Sequence, residues 1–352
     1  MKRGLVLIFL MFSVAYAKCP PPAQACANCE KVGFFLDIAA LVWQSKEGSM
    51  EYAAKEKFKD TPKITFITPD FGWRPGVKVN LGYYLPHDDW DLKSTYTHYH
   101  GEMTMNKKHV NVPLQPGENG VIATNFYPFY LNSSTSPTPR FEHAAGNLHI
   151  FFNTFDLELG RNFFVGRKFA FRPFGGIMGG WIEQKYQVYY DDGNIIIGEF
   201  DNLQLLNSSS YFKNNSVGVG PRLGFEATCY MKWGIELFAN GSFNYLPTKF
   251  KIKRHQIDEV FNFNSSSNET HELFLSEHKT LFLPNVGLQI GFGYGGCFSH
   301  CYLGFFLSYE MQYFWAQNQM RRFVSNANEG LNFPSRGDLQ LHGLTAFLKF
   351  EF

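Results

Sequence analysis

Over 352 residues, 32 Lys and Arg face 31 Asp and Glu for a formal net charge of +1, which leaves no basic field to gather nucleic acid. Aromatic residues reach 18%, with 38 Phe, yet charged residues also reach 18%. A soluble globule rarely combines the two, whereas a wall with lipid on one face and water on the other does.

The chain opens on a leader: Lys2 and Arg3 are followed by the apolar run Leu5 to Val14 and the small-x-small site Ala15-Tyr16-Ala17, which predicts a secretory signal peptide over residues 1–17. That run falls short of the roughly 20 residues of a spanning helix. Lys18 ahead of Cys19 argues against lipid attachment at that cysteine. No later stretch is long and apolar enough to cross a bilayer as a helix, so a membrane-embedded chain must cross as strands.

Residues 18–32 form a segment rich in Cys and Pro, and the pattern from residue 33 onward has period two. Gly33 to Gln44 is the first strand. Val77, Val79, Leu81 and Tyr83 then alternate with Lys78, Asn80 and Gly82; Pro86-His87-Asp88-Asp89 makes a tight turn; Trp90 and Leu92 alternate with Asp91, Lys93, Thr95 and Thr97. Two long segments, near 143–159 and 167–190, are less regular, and the parity switch among Phe151, Phe152, Phe155, Leu157 and Leu159 predicts a bulge. Alternation returns in Val217 to Ala227, Ile235 to Tyr245, Val286 to Tyr294 and Leu303 to Met311. The last strand, Asp338 to Phe352, places Leu344, Ala346, Leu348, Phe350 and Phe352 on one face. A final aromatic on an alternating strand resembles the signal read by the outer-membrane barrel-assembly machinery, which becomes an expected partner beside outer-membrane lipid.

The reading is an all-β chain forming a transmembrane antiparallel β-barrel of about ten strands over residues 33–352, with larger even numbers, roughly twelve to sixteen, left open. Long connections are expected near 45–74, 101–141, 191–213, 256–278 and 316–337, and aromatics such as Tyr83, Trp90, Trp233, Tyr189, Tyr211 and Trp315 gather at strand ends as girdles. A soluble sandwich is disfavoured because its strands rarely run so long.

Six cysteines, Cys19, Cys26, Cys29, Cys229, Cys297 and Cys301, suit disulfides in an exported chain. If short turns face the periplasm, all six lie on that side, with the N-terminus, and bond within the chain or to neighbouring envelope proteins. Cys26-Ala27-Asn28-Cys29 as a redox or metal motif is the weaker alternative, since it sits in an extended tail.

These residues bring in a family. Trp73-Arg74-Pro75-Gly76-Val77-Lys78-Val79-Asn80-Leu81-Gly82-Tyr83, Asp156-Leu157-Glu158-Leu159-Gly160-Arg161, Phe171-Arg172-Pro173-Phe174-Gly175-Gly176 and Gly218-Val219-Gly220-Pro221-Arg222-Leu223-Gly224, in that order, resemble the Legionella and Chlamydia-type major outer membrane proteins and their relatives in environmental chlamydiae. The resemblance covers most of the mature chain. It implies an abundant, porin-like outer-membrane protein, cross-linked by disulfides into the envelope and self-associating or linked to other envelope proteins.

If the barrel conducts, Lys78, Arg172 and Arg222 oppose Glu226, Glu236 and Glu310 across its lumen and bias which solutes pass. The other reading is that these charges satisfy each other and plug a narrow barrel. An outer-membrane hydrolase finds little support, since no GxSxG, HExxH or phosphate-cradling loop is present in context. His255, Asp258, Glu259, His271, Glu272 and His278 read as loop composition rather than a metal site. No cofactor is expected. A third class, a surface adhesin or structural barrel, would use the long connections, and the Asn-x-Ser/Thr triplets there read as loop composition.

Overall fold

The computed structural model describes residues 33–57, 63–86, 88–108, 124–128, 141–166, 168–193, 203–298, 301–323, 332–334 and 336–351. The signal peptide, the 18–32 segment with Cys19, Cys26 and Cys29, His87 and the terminal Phe352 lie outside them.

Ten long strands make the wall: β1 (Gly33–Glu47), β2 (Trp73–Tyr84), β3 (Trp90–Lys108), β4 (Phe141–Arg161), β5 (Phe169–Gly193), β6 (Leu203–Tyr230), β7 (Ile235–Asn262), β8 (Ser267–Phe298), β9 (Cys301–Asn318) and β10 (Gly337–Glu351). Each pairs antiparallel with the next, and β10 returns to β1 from Phe35↔Glu351 to Glu47↔Leu339, which closes the sheet into the expected ten-stranded barrel. Closure leaves no unpaired edge to lipid. Short strands Ala53–Lys57, Lys63–Ile67 and Thr124–Pro128 extend the wall beside β4, and Arg321–Phe323 pairs with Asn332–Pro334 as a separate hairpin.

Period two decides which side chains meet lipid. Ile38, Val42, Val77, Leu81, Ile177, Val217, Val219, Leu223, Ile290, Phe305 and Leu348 all project outward and exposed. Lys78, Asp91, Lys93, Asp156, Glu158, Arg172, Arg222 and Glu310, of the opposite parity, turn into the lumen. On β7 the outward apolar set runs from Leu237 to Tyr245, close to the 9–11 residues that a tilted strand needs to cross a bilayer.

Two expectations are corrected. Strands β3, β4 and β5 keep one unbroken register from Trp90↔Arg161 to Lys108↔His143 and from His143↔Asp191 to Gly160↔Phe174, so there is no bulge near 151–159. The parity switch has another cause: Phe152 and Ile150 turn inward as well, onto an apolar region inside the barrel. Residues 203–213 and 256–278 are strand rather than long connection, with β7 and β8 joined by the tight turn 263–266. The Asn262 side-chain oxygen holds that turn, accepting from the Asn264 and Ser265 backbone N–H at 2.9 and 3.4 Å. Beyond Tyr245 the 17 residues to Asn262 carry β7 outward by roughly 55 Å of strand at ~3.3 Å per residue. At the other end the links are short, and Asp88 and Asp89 take the left-handed conformation that Asp tolerates in turns.

Candidate functional site

The lumen is filled in layers, each made by contacts within the wall together with others between strands that are not neighbours in it. Nearest the short turns, Tyr302 donates to Glu236 at 2.7 Å, Tyr84 donates to Glu351 at 2.9 Å, and Lys349 pairs with Glu351 at 2.7 Å. Phe306 and Phe347 stack beside them with centroids 4.8 Å apart.

Above lies an ionic layer. Arg172 from β5 reaches Asp91 on β3, its Nε 2.8 Å from Oδ2, and its Nη1 lies 3.4 Å from Glu158 and 3.5 Å from Glu226. Lys93 pairs with Glu158 at 3.2 Å and also with Glu226. Arg222 on β6 donates to Glu158 at 2.8 Å and to Asn244 at 3.1 Å, with Asp156 at 4.0 Å. Three cations thus meet four carboxylates around the Phe174 ring, which has Lys93, Arg172 and Arg222 at 5.8, 5.3 and 5.5 Å from its centroid. The absence of a side chain at Gly160 makes room, since a Cβ there would lie 2.5 Å from the Arg172 guanidinium. On the other side of the lumen Lys78 pairs with Glu310, which also accepts from Thr345 at 3.2 Å.

A buried apolar layer covers the ions toward the long connections. Trp43 is its base: the indole N–H donates to Thr345 at 3.2 Å, Lys78 lies 5.4 Å over the ring, and Tyr99 packs at 5.9 Å. Phe152 of β4 meets Phe314 of β9 edge-on at 5.6 Å. The chain leaving β1 turns into the mouth, where Met50 and Tyr52 are buried and their carbonyls accept from Tyr186 and Tyr190. Polar contacts span the same gap: Gln184 donates to Glu47 at 2.5 Å and Gln317 donates to Ser216 at 2.6 Å. Farther out, Arg321 clasps Glu277 through Nε and Nη2, each at 2.7 Å, and this hydrogen bonding holds the carboxyl below its ordinary range.

All six lumen candidates read from the sequence therefore point inward, and five of them meet one another directly or through one further residue, while Glu236 meets a tyrosine. Glu226 joins Arg172, Glu310 takes Lys78, and Glu236 takes the Tyr302 hydroxyl. Sequence reasoning missed Asp91, Lys93, Asp156 and Glu158 as partners, although their inward parity was the signal. Among the described residues no group of three His, Cys, Asp or Glu is placed to hold a metal ion. Cys229 is disulfide-bonded to a partner outside the described side chains, and Cys301 is free and exposed beside the β8–β9 link. The Cys297 side chain is outside the described set, while Phe350 sits half-buried on β10.

A family model for the Legionella pneumophila major outer membrane protein precursor matches residues 26–352. No curated protein matches the chain. The solved Escherichia coli outer membrane protease OmpT is similar over 91% of this chain and 97% of its own, at 13% identity and a TM-score of 0.38. A Pseudomonas aeruginosa FadL homologue is similar over 95% and 92%, at 6% identity and a TM-score of 0.25. At those TM-scores neither likeness carries an argument.

Proposed function

The chain belongs to the Legionella pneumophila major outer membrane protein family, and we propose that it serves there as a closed, structural envelope barrel rather than as a resting pore. One observation carries this reading: Lys78 with Glu310, and Arg172, Arg222 and Lys93 with Asp91, Glu158 and Glu226, are paired inside the lumen, and Arg172, Arg222, Asp91, Glu158 and Glu310 are buried below an apolar mouth. Removing such charges from water is tolerable only where they are paired, and paired they leave no hydrated path. The expected porin-like channel for small solutes is the second reading, and it requires the ionic and apolar layers to part. The reading assigns no catalysis to the chain.

Planar-bilayer recording of the refolded mature chain tests it. Wild type should be silent, and Arg222→Glu, which sets a fifth carboxylate among four, should bring leak or intermittent openings; steady wild-type conductance would restore the porin.

We further propose that the short turns face the periplasm, as does the N-terminus, and that the cysteines at that end tie the barrel into the envelope. Two facts support this: Cys229 is already bonded, and Cys301 stands free and exposed for a neighbour. A membrane-impermeant maleimide should miss these cysteines on intact cells and, after permeabilisation, label all six only once reductant is added. Labelling of intact cells overturns the orientation; complete labelling without reductant overturns the disulfides.

A further inference from the structure

Outside the lumen, one stretch of the outer wall is basic where it leaves the lipid. On β7 the outward residues after Tyr245 and Pro247 are Lys249, Lys251 and Lys253, all exposed. The register sets Lys253 opposite Lys213 of β6, and Lys213 opposite Lys185 of β5, so three lysines stand side by side across three strands. Like charges placed directly opposite destabilise a sheet. Glu183 answers two of them, at 2.6 Å from Lys185 and 3.2 Å from Lys213. Among the described residues no carboxylate lies within ion-pair distance of Lys249, Lys251 or Lys253.

Position indicates what balances them. Lys249 shares a cross-strand row with Val217 and Trp181, both exposed members of the apolar belt, and Lys251 and Lys253 follow on the next two outward positions. The ammonium groups therefore stand at headgroup depth, with acyl chains lying on Val217, Val219, Phe243 and Tyr245 below. Outward, Phe274 stacked on His255 at 4.1 Å closes the groove that Lys185, Lys213 and Lys253 border.

We propose that this patch is a binding site for a phosphate-bearing lipid headgroup of the surrounding leaflet, with Lys249, Lys251 and Lys253 as the phosphate contacts. The charge is complementary, the depth is that of lipid phosphate, and the apolar wall beneath takes the tails.

The test is native mass spectrometry of the full mature barrel released from phosphatidylcholine nanodiscs doped with a bisphosphorylated glucosamine lipid. Wild type should retain the phosphorylated lipid in preference to phosphatidylcholine and to the dephosphorylated glucosamine lipid. The triple variant Lys249→Glu, Lys251→Glu and Lys253→Glu should lose retention on the order of a hundredfold, from about a fivefold loss per surface lysine compounded over three. A heat-shifted gel band reports folding, and if the glutamate triple does not refold, the glutamine triple at the same positions takes its place. Equal retention by wild type and variant, or no preference for phosphate, overturns the proposal. Full displacement by inorganic phosphate alone would also overturn it, assigning the site to a soluble anion instead of a lipid.

Discussion

Glu158→Ala is expected to cost the barrel on the order of 3–5 kcal/mol, read from urea unfolding out of lipid vesicles. Glu158 is the carboxylate shared by Lys93, Arg172 and Arg222, at 3.2, 3.4 and 2.8 Å, and its side chain is almost wholly removed from water. Without it three cations remain around one aromatic ring with Glu226, Asp91 and the more distant Asp156 to balance them, so the cost is dominated by uncompensated charge and not by a lost contact. Glu158→Gln, which keeps the shape and one acceptor, should lose less. A loss below about 1 kcal/mol in the alanine variant would mean that the layer is solvated and the lumen open, which would sink the closed-barrel reading as well.

Trp43→Ala should cost a similar amount, about 3–5 kcal/mol, for a different reason. The ring is fully buried where the apolar mouth meets the ions, with Tyr99 packed on one side and Lys78 over its face. Truncation leaves a cavity and deprives the Thr345 hydroxyl of its indole donor. Since Glu158 and Trp43 have no hydrogen-bond or ion-pair partner in common, the two losses should add in the double variant within about 0.5 kcal/mol. A cost for Trp43→Ala within experimental error of zero would show that the mouth is loose and that the packing described for it is not maintained in the membrane.

The barrel was legible wherever lipid constrains the sequence. Val77 to Tyr83, Val217 to Ala227 and Leu303 to Met311 alternate because one face must be apolar and the other must not, and that demand exposes both strand and orientation. Past the belt it lapses. Lys251, Lys253 and His255 face outward while Arg254 and Gln256 face the interior, so both faces are polar and the upper halves of β7 and β8 resemble loop. The reverse happens at Ile150 and Phe152, where an apolar mouth makes both faces apolar and mimics a bulge. In the site, charges such as Lys78, Arg222 and Glu226 were readable as inward-facing from parity alone. Which carboxylate each cation meets was not, because Lys93 on β3 and Glu226 on β6 come together only through the curl of the wall between them, and no local pattern encodes a chord across it.

The seam between β1 and β10 fixes an order of events. Trp43 and Thr345 are 302 positions apart in the chain, on the first and tenth strands of the wall. The contacts from β3 to β6 that hold the ionic layer need no seam, whereas Trp43 can find Thr345 only once both ends of the wall have met. Until then β1 and β10 are two bare strand edges flanking a sheet in which only the charges from β3 to β6 are matched, while Lys78 and Glu310 wait for closure, so the hazard of adhesion to other chains is confined to that interval and ends with the final pairing.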